Sequence, residues 1–118
     1  MNYSEEALQK VREDRLILSA LDEWLYEEIE PHLGRRILEI GCGLGNFAQH
    51  LVDRELYVGT ETEESSVVHM RSRFAHRPNM RSLVADVTTD DFLSLCKYDF
   101  VTVFSLNVFE HIADDAIA

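Results

Sequence analysis

The sequence predicts an α/β fold: a doubly wound parallel sheet of strand order 3-2-1-4, preceded by an N-terminal helical segment. Three observations carry that expectation. Four short runs with strand-like patterning, Ile37 to Ile40, Leu56 to Val58, Met80 to Ala85 and Phe100 to Phe104, alternate with stretches of helical periodicity. The first run passes directly into Gly41, Gly43 and Gly45, a turn in which the missing Cβ lets a ligand lie on the backbone. Acids stand at the carboxyl ends of the second and third runs, Glu61 and Asp86, where an open parallel sheet builds its site.

In chain order, Ser4 caps a helix whose first turn holds Glu5 and Glu6, both favourable against the helix dipole. Apolar residues recur at Ala7, Leu8 and Val11, then at Leu18, Leu21, Trp24, Leu25 and Ile29, which predicts an amphipathic region broken near Ser19 and ended by Pro31 and Gly34. Beyond the glycine turn, Phe47, Ala48, Leu51 and Val52 predict a first crossover helix from about Asn46 to Arg54. Val67, Val68, Met70 and Phe74 mark a second from Ser65 to Phe74, closed by Pro78 and Asn79. Phe92, Leu93 and Leu95 give a short third helix, and Tyr98 and Asp99 lead into the fourth strand. Residues 1–34 are thus a helical segment and 35–118 the ligand-binding half of a single domain.

Composition narrows the function. The chain has 118 residues, 46% of them hydrophobic, enough for one core. Its 22 acids against 11 bases give a formal charge of -11, which repels phosphate backbones and anionic membranes, so neither nucleic acid nor membrane is an expected partner. Cys42 and Cys96 stand in no CxxC pair and no His-rich cluster, which argues against a disulfide framework or zinc site and for a reduced, cytoplasmic setting. No metal is expected. Arg71, Arg73, His76, Arg77 and Arg81 form a basic group that either binds an anion or offsets the acid excess.

The stretch RRILEIGCGLGNF, Arg35 to Phe47, is the centre of the site. A dinucleotide fingerprint requires glycine where Asn46 stands, and the spacing found is E-x-G-x-G-x-G from Glu39 to Gly45. An acid beside such a turn suits a ligand carrying an ammonium and repels a pyrophosphate. These residues resemble motif I of the class I S-adenosylmethionine-dependent methyltransferases. The later stretch YDFVTVFSLNVFEHI, Tyr98 to Ile112, resembles the fourth strand and next helix start of a small-molecule subgroup that includes quinone-pathway enzymes.

The resemblance spans Ile37 to Ile112 and implies a Rossmann-like sheet that binds S-adenosylmethionine and releases S-adenosylhomocysteine. Around the motif, Glu39, Gly41, Cys42 and Gly43 become cofactor-binding candidates. Glu61 accepts from the ribose hydroxyls, with Thr62 edging the adenine; surface solvation is the competing reading. Asp86 accepts from the adenine amine while the Val87 N–H reads a ring nitrogen; the alternative makes Asp86 a helix-capping or turn-forming residue. The backbone near Leu106 faces the methionine part, and His111 is either a general base or a structural residue. Tyr3, Trp24 and Tyr26 either line a pocket or pack and solvate.

The family adds a fifth strand and an antiparallel pair after these elements, so the expectation is the cofactor half of an enzyme that methylates a small molecule, its activity in isolation open. The rival is a non-catalytic cofactor-binding or regulatory module. The uncharged fourth strand predicts self-association through an open edge.

Overall fold

The computed structural model describes residues 4–86 and 88–106. Its contacts divide the chain into two units, Met1–Pro31 and His32–Ala118. In the first unit, α1 (Glu5–Ile29) is one continuous helix capped by Ser4, whose side-chain oxygen accepts from the Ala7 N–H at 3.1 Å. The break expected near Ser19 is absent. The segment holds neither proline nor glycine, and a single serine costs a helix too little to interrupt it. Gln9 to Glu13 and Lys10 to Asp14 pair along its surface.

The second unit holds a four-stranded sheet of β1 (Arg36–Ile40), β2 (Leu56–Glu61), β3 (Met80–Val84) and β4 (Thr102–Ser105). Its order is β3-β2-β1-β4, and every pairing is parallel. This is the expected order. Opposite parities of the two central strands serve opposite faces. Leu38 and Ile40 of β1 join Leu56 and Val58 of β2 in a core with Leu95, flanked by Leu83, Tyr98 and Phe100. Ile37, Glu39, Tyr57 and Gly59 have the other parity, and Ile37 and Tyr57 are wholly buried. Full burial on both faces explains why β1 and β2 read as near-continuous apolar runs.

The connections depart from expectation more than the strands do. The first crossover is only a 3₁₀ turn, Ala48–Leu51, in place of a helix over 46–54. Gly45, just before it, still turns at φ 91 and so lies outside any helix, and only Ala48–Leu51 carry helical bonding. The segment still buries Phe47, Ala48 and Leu51. The third crossover is likewise 3₁₀, Asp90–Tyr98. The second, α2 (Glu64–Arg73), is the helix the pattern predicts, and buries Val67 and Met70. β4 begins at Thr102, two residues after the expected start. Asp99 turns at φ 53, Phe100 packs against the core, and the ladder opens only where Thr102 meets Ile37.

Candidate functional site

The carboxyl ends of β1 and β2 build the site together. The Gly41 and Cys42 N–H groups both donate to the Thr60 carbonyl, at 2.9 and 3.0 Å, which bends the chain over β2 as β1 ends. The Gly45 N–H then donates to the Cys42 carbonyl at 3.1 Å and closes a tight turn. Gly41, Gly43 and Gly45 all have positive φ, so the backbone of this turn needs its glycines.

Two of these glycines do different work. A Cβ on Gly45 would run into the Met70 sulfur and lie 3.0 Å from the Phe74 ring, so Gly45 lets α2 pack against the turn. A Cβ on Gly43 would meet nothing within 4 Å. Gly43 therefore borders open space, the cradle that a backbone-bound ligand needs.

Glu61, the last residue of β2, accepts from the Gly43 N–H on Oε2 at 2.9 Å and from the Thr62 N–H on Oε1 at 3.1 Å. The expected ribose acceptor is thus also the residue that ties β2 to the turn. Thr62 follows it and is exposed. Glu39 lies within β1 at 3% exposure, and its Oε1 accepts from the Tyr57 hydroxyl at 2.6 Å. Cys42 is buried; desolvation, reinforced by the Glu39 and Glu61 carboxylates, pushes its thiol up to about 12. The thiol is therefore a neutral wall of the site and a poor nucleophile.

At the end of β3, Asp86 folds back on its own turn. Its Oδ1 accepts from the Thr88 hydroxyl at 2.6 Å and the Thr88 N–H at 2.8 Å, and these bonds hold its carboxyl below the usual range. That is the geometry of the turn-forming alternative. Leu106 is half-buried just past β4, whose Ser105 lies opposite Ile40. Tyr3, Val87 and His111 lie outside the described residues.

The basic group does not converge. The Arg71 Nε donates to the Ser82 carbonyl, Arg73 reaches Leu44, Asn46 and Gln49, Arg77 reaches Val52 and Asp53, and Arg81 donates to the Pro78 carbonyl. These cations brace separate loops. Among the described residues no cluster of His, Cys, Asp or Glu could hold a metal ion, and no helix is long and apolar enough to cross a membrane. Trp24 is 57% exposed and Tyr26 half-buried on α1.

Tyr57 is the site residue that sequence reasoning missed. It reads as one more β-former in β2, and its signal is positional: two residues before Gly59, on the same face of the β1–β2 ladder as Glu39.

A parallel sheet with a glycine turn after its first strand and a carboxylate latched to that turn defines an α/β ligand-binding protein of the doubly wound class. The comparisons with known proteins make the class specific. A family profile described as a methyltransferase domain matches residues 38–118. An uncharacterized methyltransferase of Mycobacterium bovis and one of Mycobacterium tuberculosis are each 33% identical over 95 residues, which cover 77% of this chain and 35% of theirs. The chain belongs to the methyltransferase-domain family, and spans about a third of the length of these relatives.

Among solved structures, the methyltransferase domain of bacterial CtHen1 superposes with a TM-score of 0.63 at 15% identity, over 76% of this chain and 50% of that one. The N-terminal domain of EvdMO1 with SAH bound gives 0.51 at 25% identity, over 65% and 33%.

Proposed function

We propose that the parent protein transfers the methyl group of S-adenosylmethionine to a small-molecule acceptor, and that this chain supplies the cofactor half of the site. The single observation that carries the reading is the turn at Gly43, open where a ligand would lie and held there by the strand-end carboxylate of Glu61. Membership of the methyltransferase-domain family and the SAH-bound EvdMO1 domain support it.

When bound, the cofactor supplies a methyl already activated by its cationic sulfonium. The tasks left to the protein are to hold donor and acceptor in line and to exclude water. In this reading Glu39 faces the ammonium, Gly41 and Gly43 present backbone to the methionine chain, and Cys42 is a neutral neighbour that places no second anion there. Glu61 takes the ribose hydroxyls, Thr62 edges the adenine, Asp86 and Val87 read its rim, and Leu106 closes the methionine end. His111 is the candidate base for an acceptor that must lose a proton. The formal charge of -11 and the free cysteines support a cytoplasmic setting and an acceptor that is neither nucleic acid nor membrane.

Calorimetry with S-adenosylhomocysteine tests the proposal. The native chain binds; Gly43→Val, which fills the open space and forces a β-branched residue to φ 57, loses binding while circular dichroism keeps the signature of the sheet and α2. Glu61→Ala costs about 1.5–3 kcal/mol of affinity, the worth of a charged hydrogen bond. No binding by the native chain would overturn the reading, and an unchanged Glu61→Ala affinity would remove the ribose role.

A further inference from the structure

Glu39 is a carboxylate inside a parallel strand, 3% exposed, with Leu38 and Ile40 buried on either side. Such a group costs stability unless hydrogen bonds satisfy it, and an apolar residue there would be cheaper for the fold. The chain commits a second buried polar group to it. Tyr57 is wholly buried, and its hydroxyl donates to Glu39 Oε1 at 2.6 Å, a short bond of the charge-assisted kind.

The register explains how the bond is reached. Glu39 pairs with Gly59 and Tyr57 with Ile37, so the phenol must run along β2 past position 59 to meet the carboxylate. Only glycine leaves room: a Cβ at Gly59 would stand 2.8 Å from the Tyr57 hydroxyl oxygen and 2.8 Å from both Cβ and Sγ of Cys42. Three side chains, Glu39, Tyr57 and Cys42, thus converge over a residue that has none. Cys42 belongs to the glycine turn, so the Tyr57–Glu39 pair lies directly behind the turn that forms the cradle.

We propose that Tyr57 is a positioning residue: through the gap left by Gly59 its hydroxyl fixes the Glu39 carboxylate in the orientation that receives the ammonium of the bound cofactor. The assignment rests on the cofactor reading above. Burial, then the neighbouring Glu39 and Cys42, raise the Tyr57 pKa well above its ordinary value, so the hydroxyl remains a donor throughout the neutral range. Tyr57 touches no reacting atom. It acts only through Glu39, and therefore only on ligands that carry the amino-acid end.

Two ligands separate this role from a structural one. S-adenosylhomocysteine carries the ammonium, while 5′-methylthioadenosine keeps adenine and ribose and lacks it. In titrations of the full chain, Tyr57→Phe, which keeps the ring and deletes one oxygen, weakens S-adenosylhomocysteine about tenfold, the scale of one lost hydrogen bond to a charge, and leaves 5′-methylthioadenosine unchanged. In a Glu39→Gln background the same substitution adds little further, because the side chain that Tyr57 orients no longer carries the charge that receives the ammonium.

Equal weakening of both ligands would mean a general loosening of the fold and would overturn the positioning role, as would an unchanged affinity for both. If Tyr57→Phe fails to fold, Glu39→Gln alone decides, since its amide oxygen still accepts from Tyr57: it must lose S-adenosylhomocysteine selectively, and equal binding of both ligands would overturn the assignment. If the native chain binds 5′-methylthioadenosine but gains nothing from the amino-acid end, the inference fails and the cofactor reading survives. If it binds neither ligand, both fall.

Discussion

Burial and the flanking carboxylates of Glu39 and Glu61 raise the Cys42 thiol from an ordinary 9.0 to about 12, and Tyr57 is raised above 10.0 by burial, Glu39 and Cys42. Folded, the chain keeps two protons that the unfolded chain releases first. Stability is therefore undiminished below pH 9.0 and falls as pH climbs toward the folded value of about 12, with Tyr57 adding its share above 10.0. Each group contributes a slope of up to about 1.4 kcal/mol per pH unit in its window. Urea unfolding at about pH 7.5, 9.5 and 10.5, roughly 1.5 units either side of the thiol's onset, reads the decline. Cys42→Ala should make it shallower while the neutral-pH value shifts by a constant. Identical slopes for the two chains would show that the thiol ionises alike in both states.

The strands were legible at the level of elements because burial on both faces writes apolar runs that no other local structure explains, as in Ile37 to Ile40. α2 was legible for the complementary reason, its Val67 and Met70 recurring on one helical face. The 3₁₀ crossovers were not. Phe47, Ala48 and Leu51 have helical spacing because they are buried, and that spacing serves a 3₁₀ turn as well as an α-helix. At the site, Glu61 stood out by its strand-end position, but its bond to the Gly43 N–H depends on loop geometry that only the fold supplies.

Asn79 shows the same gap between pattern and role. It reads as a helix breaker after Pro78, yet its Nδ2 donates to the Val52 and Arg54 carbonyls at 2.9 Å each, and its own carbonyl accepts from the Tyr57 N–H at 2.8 Å. One side chain thus ties the entry to β3 to the loop that launches β2. Asn79→Ala leaves two part-buried carbonyls without this donor and should cost about 2 kcal/mol, read as a lower urea midpoint at unchanged m-value. A loss below about 0.5 kcal/mol, the range of ordinary surface substitutions, would mean that water replaces the amide freely.

For the molecule as a whole, the sheet's order leaves β3 and β4 as edges, and they are unequal. β3 carries Arg81, a cation of the kind that guards an edge, and α2 packs closely with it. β4 is Thr-Val-Phe-Ser, without charge or proline; its Val103 is 52% exposed, and Val101 just before it is 56% exposed. Among the described residues no strand lies beyond β4, so its outer N–H and C=O groups form a template for another strand. Two copies meeting edge to edge across a two-fold axis pair their β4 strands antiparallel, which closes both edges at once and stops the assembly at a dimer. The formal charge of -11 opposes further, nonspecific association. Sedimentation at micromolar concentration should therefore give a dimer, and Val103→Lys, which plants a charge on each edge, should shift it to monomer with the circular dichroism spectrum retained. A native chain that sediments as a clean monomer while the Thr102 to Ser105 amides exchange slowly would show that the edge is covered within one chain, and the dimer would be excluded.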